Sequence, residues 1–155
     1  VEIEAQLGRA PDAVIVPSGG GALSAGIALA LPGARMIVAE PEGWDDMKRS
    51  LEAGEILSVD EPAPPTLCDA LQTKRVSPLT FAALAEAGAR GVAVSEAEVR
   101  EAIRFAFRSL RLVAEPGGAA ALAALLAGKA EAEGDSVVVI SGGNIDPALY
   151  AELIQ

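Results

Sequence analysis

Four short apolar runs recur along the chain: AVIVP at residues 13–17, RMIVAE at 35–40, GVAV at 91–94 and DSVVVI at 135–140. Helical patterns separate them, and this alternation constrains the fold more than any other feature. Strands that are apolar on both faces must be covered on both faces, and a strand that returns through a helix lies parallel to its predecessor. The expected architecture is α/β, a parallel twisted sheet with helices on both faces in three layers. Helices are expected at residues 22–31, near 45–53, near 79–87, from 95 to about 109, at 116–128 and after Asp146 and Pro147. Ser95 and Glu98 form a capping-box pattern, and the helix they open has Val99, Ile103 and Phe107 among its apolar residues. The stretch EPGGAAALAALLAG carries no charge from Pro116 to Gly128, so this helix is expected to be packed all round. Residues 54–77 contain Pro62, Pro64 and Pro65 and read as an irregular connection.

A chain of 155 residues is one ordinary domain. It is 51% hydrophobic but only 3% aromatic, so its core has to be built from Ala, Val, Leu and Ile. The net charge is −10 with no basic cluster, which argues against a nucleic-acid or anionic-membrane partner. Residues 13–34 carry no charge, but Pro17, Ser18 and three glycines break them, so they do not read as a membrane span. One cysteine, Cys68, excludes a disulfide framework and suits the cytoplasm. The absence of histidine removes Ser–His and Cys–His nucleophiles and most zinc sites. The opening VEIEAQLGRA is acidic, unlike a targeting segment, and Ile3 and Leu7 share a helical face. It reads as the end of a helix begun earlier, so the chain is expected to be a fragment.

Two glycine clusters follow strands, SGGG after the first and SGGN after the last, at the sheet edge where such folds bind ligands. Gly19, Gly20 and Gly21 lead straight into a helix, where backbone N–H groups and the helix dipole can hold a phosphate. A tight turn is the plainer explanation, but one glycine would serve for that. No Lys followed by Ser or Thr is present to make a nucleotide loop. The dinucleotide pattern fails at Ser24, although Glu40 could hold a ribose hydroxyl. Ser141, at the second cluster, is no hydrolase nucleophile, because the G-x-S-x-G elbow is missing.

The blocks VIVPSGGGALSAG, AEPEGWDD, TLCDALQT, EPGGAAALAALLAG and VVVISGGNID, in this order and spacing, resemble the C-terminal half of the serine/threonine dehydratases (threonine ammonia-lyases) and serine racemases. These are fold-type II pyridoxal-phosphate enzymes. The resemblance covers essentially the whole chain and implies the C-terminal part, residues 1–155, of the large cofactor domain of a tryptophan-synthase-β-like fold. It implies that Ser18, Gly19, Gly20, Gly21, Ala22 and Leu23 wrap the cofactor phosphate, with Ala22 where many relatives carry a fourth glycine. It places Ser141 on the pyridine nitrogen, with Gly142 beside it, and Glu115 near the ring, a residue that could equally cap its helix. Glu40, the Trp44 carbonyl and Asp46 match a Mg²⁺ or Ca²⁺ site, a set of hard oxygen ligands, though both acids could simply lie at the surface. The implied reaction is deamination of serine or threonine to a 2-oxo acid and ammonia, with racemisation in some members.

The family's Schiff-base lysine lies in its N-terminal half. Lys48, Lys74 and Lys129 do not match it, and Lys48 and Lys129 look like solvated helix positions. The resemblance therefore implies a chain that is inactive alone, whose partners are the missing N-terminal half, a small hydroxy amino acid and, as a dimer, a second copy. A phosphate-ligand-binding module without activity is the alternative from another class; it gives Ser141 no purpose. Cys68 and Asp69 carry no assigned chemistry, and a buried thiol is expected.

Overall fold

The structure, a computed structural model, describes residues 2–155. Strands β1 (Ala13–Pro17), β2 (Arg35–Pro41), β3 (Arg90–Val94) and β4 (Ser136–Val138) form one sheet in the order β3-β2-β1-β4. All three pairings are parallel, with Ile15 opposite Ile37 on one side and Val138 on the other. The helices are α1 (Glu2–Leu7), α2 (Ala22–Ala30), α3 (Asp46–Ala53), α4 (Pro78–Glu86), α5 (Glu96–Phe105), α6 (Pro116–Leu126) and α7 (Pro147–Leu153).

Strand side chains alternate between two cores, as the two-residue period of a pleated strand requires. On one face Ile15, Ile37, Ala39, Val92 and Val94 pack with Val99, Ala102 and Ile103 of α5 and with the alanines of α6. On the other, Val14, Val16, Met36 and Val38 meet Ala25 and Ala28 of α2, Met47 of α3 and Leu84 of α4. The three-layer expectation is met. Helix α6 is buried continuously from Pro116 to Ala124 because Gly and Ala present almost no side chain on any face, letting it lie close against the sheet.

The capping box forms as expected: the Glu98 N–H donates to Ser95 Oγ at 3.3 Å and the Ser95 N–H to Glu98 Oε2 at 2.7 Å. Two expectations are corrected. The helix opened by Ser95 is α-helical only to Phe105 and continues as a π turn over Ala106–Leu110, closed by Leu112 N–H on the Ala106 carbonyl and by Arg111 at φ 59°. The wider turn rotates the following side chains off the α-helical phase. Phe107 is 39% exposed, and it meets the Tyr150 ring edge-on at 5.9 Å. The last strand is shorter than the apolar run. One further bond, Val139 N–H to the Ile15 carbonyl, extends its pairing, and the chain then leaves the sheet to lie on the first turn of α6. The connection at 54–77 is irregular, as expected, apart from a 3₁₀ turn at Asp69–Leu71 and a single antiparallel bridge between Ser58 and Arg75.

No helix among the described residues is long and apolar enough to cross a membrane.

Candidate functional site

Parallel strands deliver all of their following loops to one edge, and both glycine clusters stand there. The loop after β1 starts at Ser18, whose N–H still belongs to the sheet, donating to the Ala39 carbonyl at 2.9 Å. Its buried hydroxyl lies 3.3 Å from Ser24 Oγ, so Ser18 braces the loop from beneath. Gly21 is the N-cap of α2 at φ 82°, with no side chain capping the helix. Among the described residues, no acceptor engages the N–H groups of Gly19, Gly20, Gly21, Ala22 or Leu23. Unpaired donors at a helix start are the elements of an anion cradle. Ala22 and Leu23 are exposed there.

The glycines are required by approach as well as by backbone angle. A Cβ on Gly19 would sit 3.1 Å from Thr73 Oγ1 and 3.2 Å from the Leu71 Cα. One on Gly21 would lie 2.6 Å from Met47 Cε and 3.1 Å from Thr80 Cβ. The segment TLCDALQT thus crosses directly over the loop, which gives the block without assigned chemistry a place at the site. Cys68 in it is fully buried, and burial pushes its thiol up to about 12.

The second cluster meets the first turn of α6. Glu115 occupies the N-cap position of α6, but its side chain does not cap the helix. Its N–H donates to the Gly142 carbonyl at 3.0 Å, and its Oε2 accepts from the Asn144 N–H at 3.0 Å. Glu115 therefore fixes the turn that carries Ser141, which is exposed. Gly117 and Gly118 make this approach possible. A Cβ on Gly118 would fall 2.5 Å from the Gly142 carbonyl oxygen, and one on Gly117 would fall 3.3 Å from Ala70 Cβ and Leu71 Cγ. Sequence reading missed Thr73, Thr80 and this glycine pair. Two glycines in a helical first turn, where each is unfavourable by about 1 kcal/mol against Ala, were the available signal.

Glu40 and Asp46 lie beside this edge and are not surface acids; both are fully buried. Glu40 reaches from β2 to the start of α3, its two oxygens accepting the N–H groups of Met47 at 3.0 Å and Lys48 at 2.7 Å. Burial raises the Glu40 carboxyl well above the usual range, with Asp46 and Asp45 adding to the effect. Asp46 Oδ2 accepts from the Val76 N–H at 2.8 Å, while its buried Oδ1 has no partner. Burial lifts Asp46 to about 6. The orphaned Asp46 Oδ1 is the feature there that a hard cation would satisfy, although both Glu40 oxygens are already held by N–H groups and no group of three or more His, Cys, Asp or Glu gathers among the described residues. Glu40 is inaccessible to a ribose, which removes the dinucleotide reading.

All three lysines are engaged away from the glycine loop. Lys48 pairs with Asp45 and Glu52 at 3.7 and 3.3 Å, and Lys74 with Glu61 at 2.6 Å. Lys129 is corrected from a solvated helix position. It follows α6, and its Nζ bonds Glu98 at 2.7 Å and the Ala93 carbonyl at 2.9 Å. A cavity of about 530 Å³ opens at the opposite sheet edge, between the C-terminal ends of α2 and α4. Its walls include Ala28, Leu31 and Gly88, and it gathers no set of converging polar groups.

The parallel four-stranded sheet covered on both faces, with both glycine loops at one edge, matches the α/β fold of the fold-type II pyridoxal-phosphate enzymes. Residues 1–143 match the family described as pyridoxal-phosphate dependent enzyme, and the chain belongs to it. It is 36% identical over 149 residues to the L-threo-3-hydroxyaspartate ammonia-lyase of Pseudomonas sp, covering 93% of this chain and 46% of that one. It is 33% identical to the serine racemase of Dictyostelium discoideum, covering 93% and 46%. Among solved structures, the threonine deaminase of T.th. superposes with a TM-score of 0.82 at 39% identity, covering 92% of this chain and 52% of that one. The chain spans about half the length of these relatives.

Proposed function

We propose that this chain supplies the phosphate cradle and the ring-nitrogen contact of an enzyme that deaminates small hydroxy amino acids such as L-serine or L-threonine. One observation carries the reading: the open N–H groups of Gly19 to Leu23 and the exposed Ser141 stand at the same edge of one sheet. Bound pyridoxal phosphate would supply the electron sink for charge developing at the substrate's α-carbon. The loop N–H groups hold its phosphate without any basic side chain, which reconciles an anionic ligand with an acidic protein. Ser141 holds the ring nitrogen. A hydroxyl cannot protonate that nitrogen as a carboxylic acid would, so the sink stays weak. That suits β-elimination, in which the departing hydroxyl carries charge away promptly. Glu115 keeps the Ser141 turn in place through the Gly142 carbonyl and the Asn144 N–H.

Glu40, the Trp44 carbonyl and Asp46 are the proposed ligands of a Mg²⁺ or Ca²⁺ ion, which would satisfy Asp46 Oδ1 and steady the start of α3. The covalent lysine and the substrate-carboxylate contacts belong, on this reading, to an N-terminal half outside these residues, in a cytoplasmic dimer. Racemisation of serine is the alternative outcome on the same framework.

The test is titration of the purified chain with pyridoxal phosphate, followed by absorbance and circular dichroism, then repeated with Ser141→Ala and after borohydride reduction. Saturable binding that weakens in the variant, with no covalent adduct, is expected. An adduct trapped at one equivalent on Lys48, Lys74 or Lys129 would overturn the assignment of the lysine. Absence of saturable binding would overturn the cradle.

A further inference from the structure

The glycine loop is held from outside as well as from within. Thr80 stands in the first turn of α4, 60 residues along the chain from Gly20, yet its Oγ1 lies 2.8 Å from the Gly20 carbonyl oxygen. A threonine hydroxyl has one proton to give. The competing acceptor, the Ser77 carbonyl, is farther away at 3.1 Å. Ser77 Oγ, 3.0 Å away, is placed to donate to the Thr80 oxygen in turn. The Thr80 proton therefore goes to Gly20.

That bond sets a direction. A trans peptide holds its C=O and the following N–H antiparallel. With the Gly20 carbonyl drawn toward α4, the Gly21 N–H must point away from α4. The next carbonyl is fixed as well: Gly21 O accepts from Ala25 N–H at 2.9 Å and from Ser24 Oγ at 3.1 Å, both inside α2. The Ala22 N–H consequently points out from the helix start. The two fixings are not equally secure. Gly21 O has two donors, one of them a backbone group that a side-chain change at Ser24 or Thr80 leaves in place. Gly20 O has Thr80, and the peptide it belongs to joins two glycines, which no side chain restrains from rotating.

We propose that Thr80 is a positioning residue for the anion cradle: its hydroxyl selects the orientation of the Gly20–Gly21 peptide in which the Gly21 N–H serves the cofactor phosphate. This rests on the pyridoxal-phosphate reading above, and it adds that phosphate affinity depends on a hydroxyl outside the loop. A residue acting only on stability would weaken every ligand alike. Thr80 acts on the phosphate alone.

The experiment measures dissociation constants of this chain for pyridoxal phosphate and for pyridoxal, which lacks the phosphate, by fluorescence titration. The ³¹P chemical shift of the bound phosphate is recorded alongside. Thr80→Val keeps the shape and removes the hydroxyl, Thr80→Ala removes it without a buried methyl, and Thr80→Ser keeps it. Both hydroxyl-free variants are expected to bind pyridoxal phosphate about fivefold to tenfold more weakly, the equivalent of one hydrogen bond. Their pyridoxal affinity stays unchanged and the ³¹P signal moves. Thr80→Ser stays within about twofold of wild type, and Ser24→Ala loses less than Thr80→Val because Ala25 N–H still holds Gly21 O. Equal phosphate affinity in wild type and in the hydroxyl-free variants overturns the proposal alone. So does a loss of the same size for both ligands. A wild-type chain that binds neither ligand overturns the reading that these residues hold the cofactor by themselves, and this proposal with it.

Discussion

Gly118→Ala separates what a helix prefers from what this site requires. Gly118 is the third residue of α6, and by propensity alone alanine there should stabilise the protein by about 1 kcal/mol. The structure opposes that gain. The added methyl would lie 2.5 Å from the Gly142 carbonyl oxygen and 2.7 Å from the Gly142 nitrogen. Both are backbone atoms, and Gly142 is tied to Glu115 by a 3.0 Å hydrogen bond, so no flexible side chain can swing aside. Overpacking of this kind is unfavourable by about 1–3 kcal/mol. The net effect should run from neutral to about 2 kcal/mol of destabilisation. Gly26→Ala is the matched control: it lies within α2, no atom comes within 4 Å of the added Cβ, and its φ is negative, so it should gain the full propensity term. Urea unfolding of both variants measures the difference, expected at about 1–3 kcal/mol. Displacing the Gly142 turn also moves Ser141, so Gly118→Ala should bind pyridoxal phosphate more weakly than Gly26→Ala. Equal stabilisation of the two variants would refute the packing argument.

Other consequences can be checked separately. Asp46 titrates near 6 in the folded protein and lower when unfolded, so its protonated form favours the fold and its contribution is lost as pH rises. Between about pH 4 and 7 wild type should lose about 2 kcal/mol relative to Asp46→Asn in urea melts, and millimolar Ca²⁺ or Mg²⁺ at about pH 7 should narrow the gap. A gap independent of pH contradicts the buried-carboxylate assignment. Cys68, buried with its thiol at about 12, should ignore Ellman's reagent in the native protein and react fully in denaturant. Ser95→Ala removes one half of the capping box on α5 and should lower stability by about 1 kcal/mol in the same urea assay.

What the sequence made legible was whatever depends on near neighbours. Apolar runs such as AVIVP announce strands, Ser95 with Glu98 announces a helix start, and a strand followed by glycines announces a loop at the C-terminal edge of the sheet. Pattern carries these because each is decided by residues close together in the chain. What escaped depends on approach between distant segments. Thr73 over Gly19, Thr80 on Gly20 and Gly118 beneath Gly142 become visible only once the sheet brings those segments together. Glu115 illustrates the limit. Its position says helix cap, whereas its carboxylate is drawn instead to the Asn144 N–H. Lys129 likewise looked solvated because Glu98 and the Ala93 carbonyl are over thirty residues away. The π turn left no mark in the apolar spacing.

The strand order β3-β2-β1-β4 has a consequence in time as well as in space. β1 is central, but its two neighbours are made far apart: β2 follows within about one helical excursion, whereas β4 comes only after α6. At translation rates of roughly 5–20 residues per second, β1 waits on the order of ten seconds with one edge unpaired. That edge is Ala-Val-Ile-Val-Pro, among the most apolar and finally the most deeply buried residues of the protein. A nascent chain at this stage should be a client for chaperones that shield strand edges. Its first glycine loop is already made, yet it stays without the Ser141 turn until β4 pairs with β1.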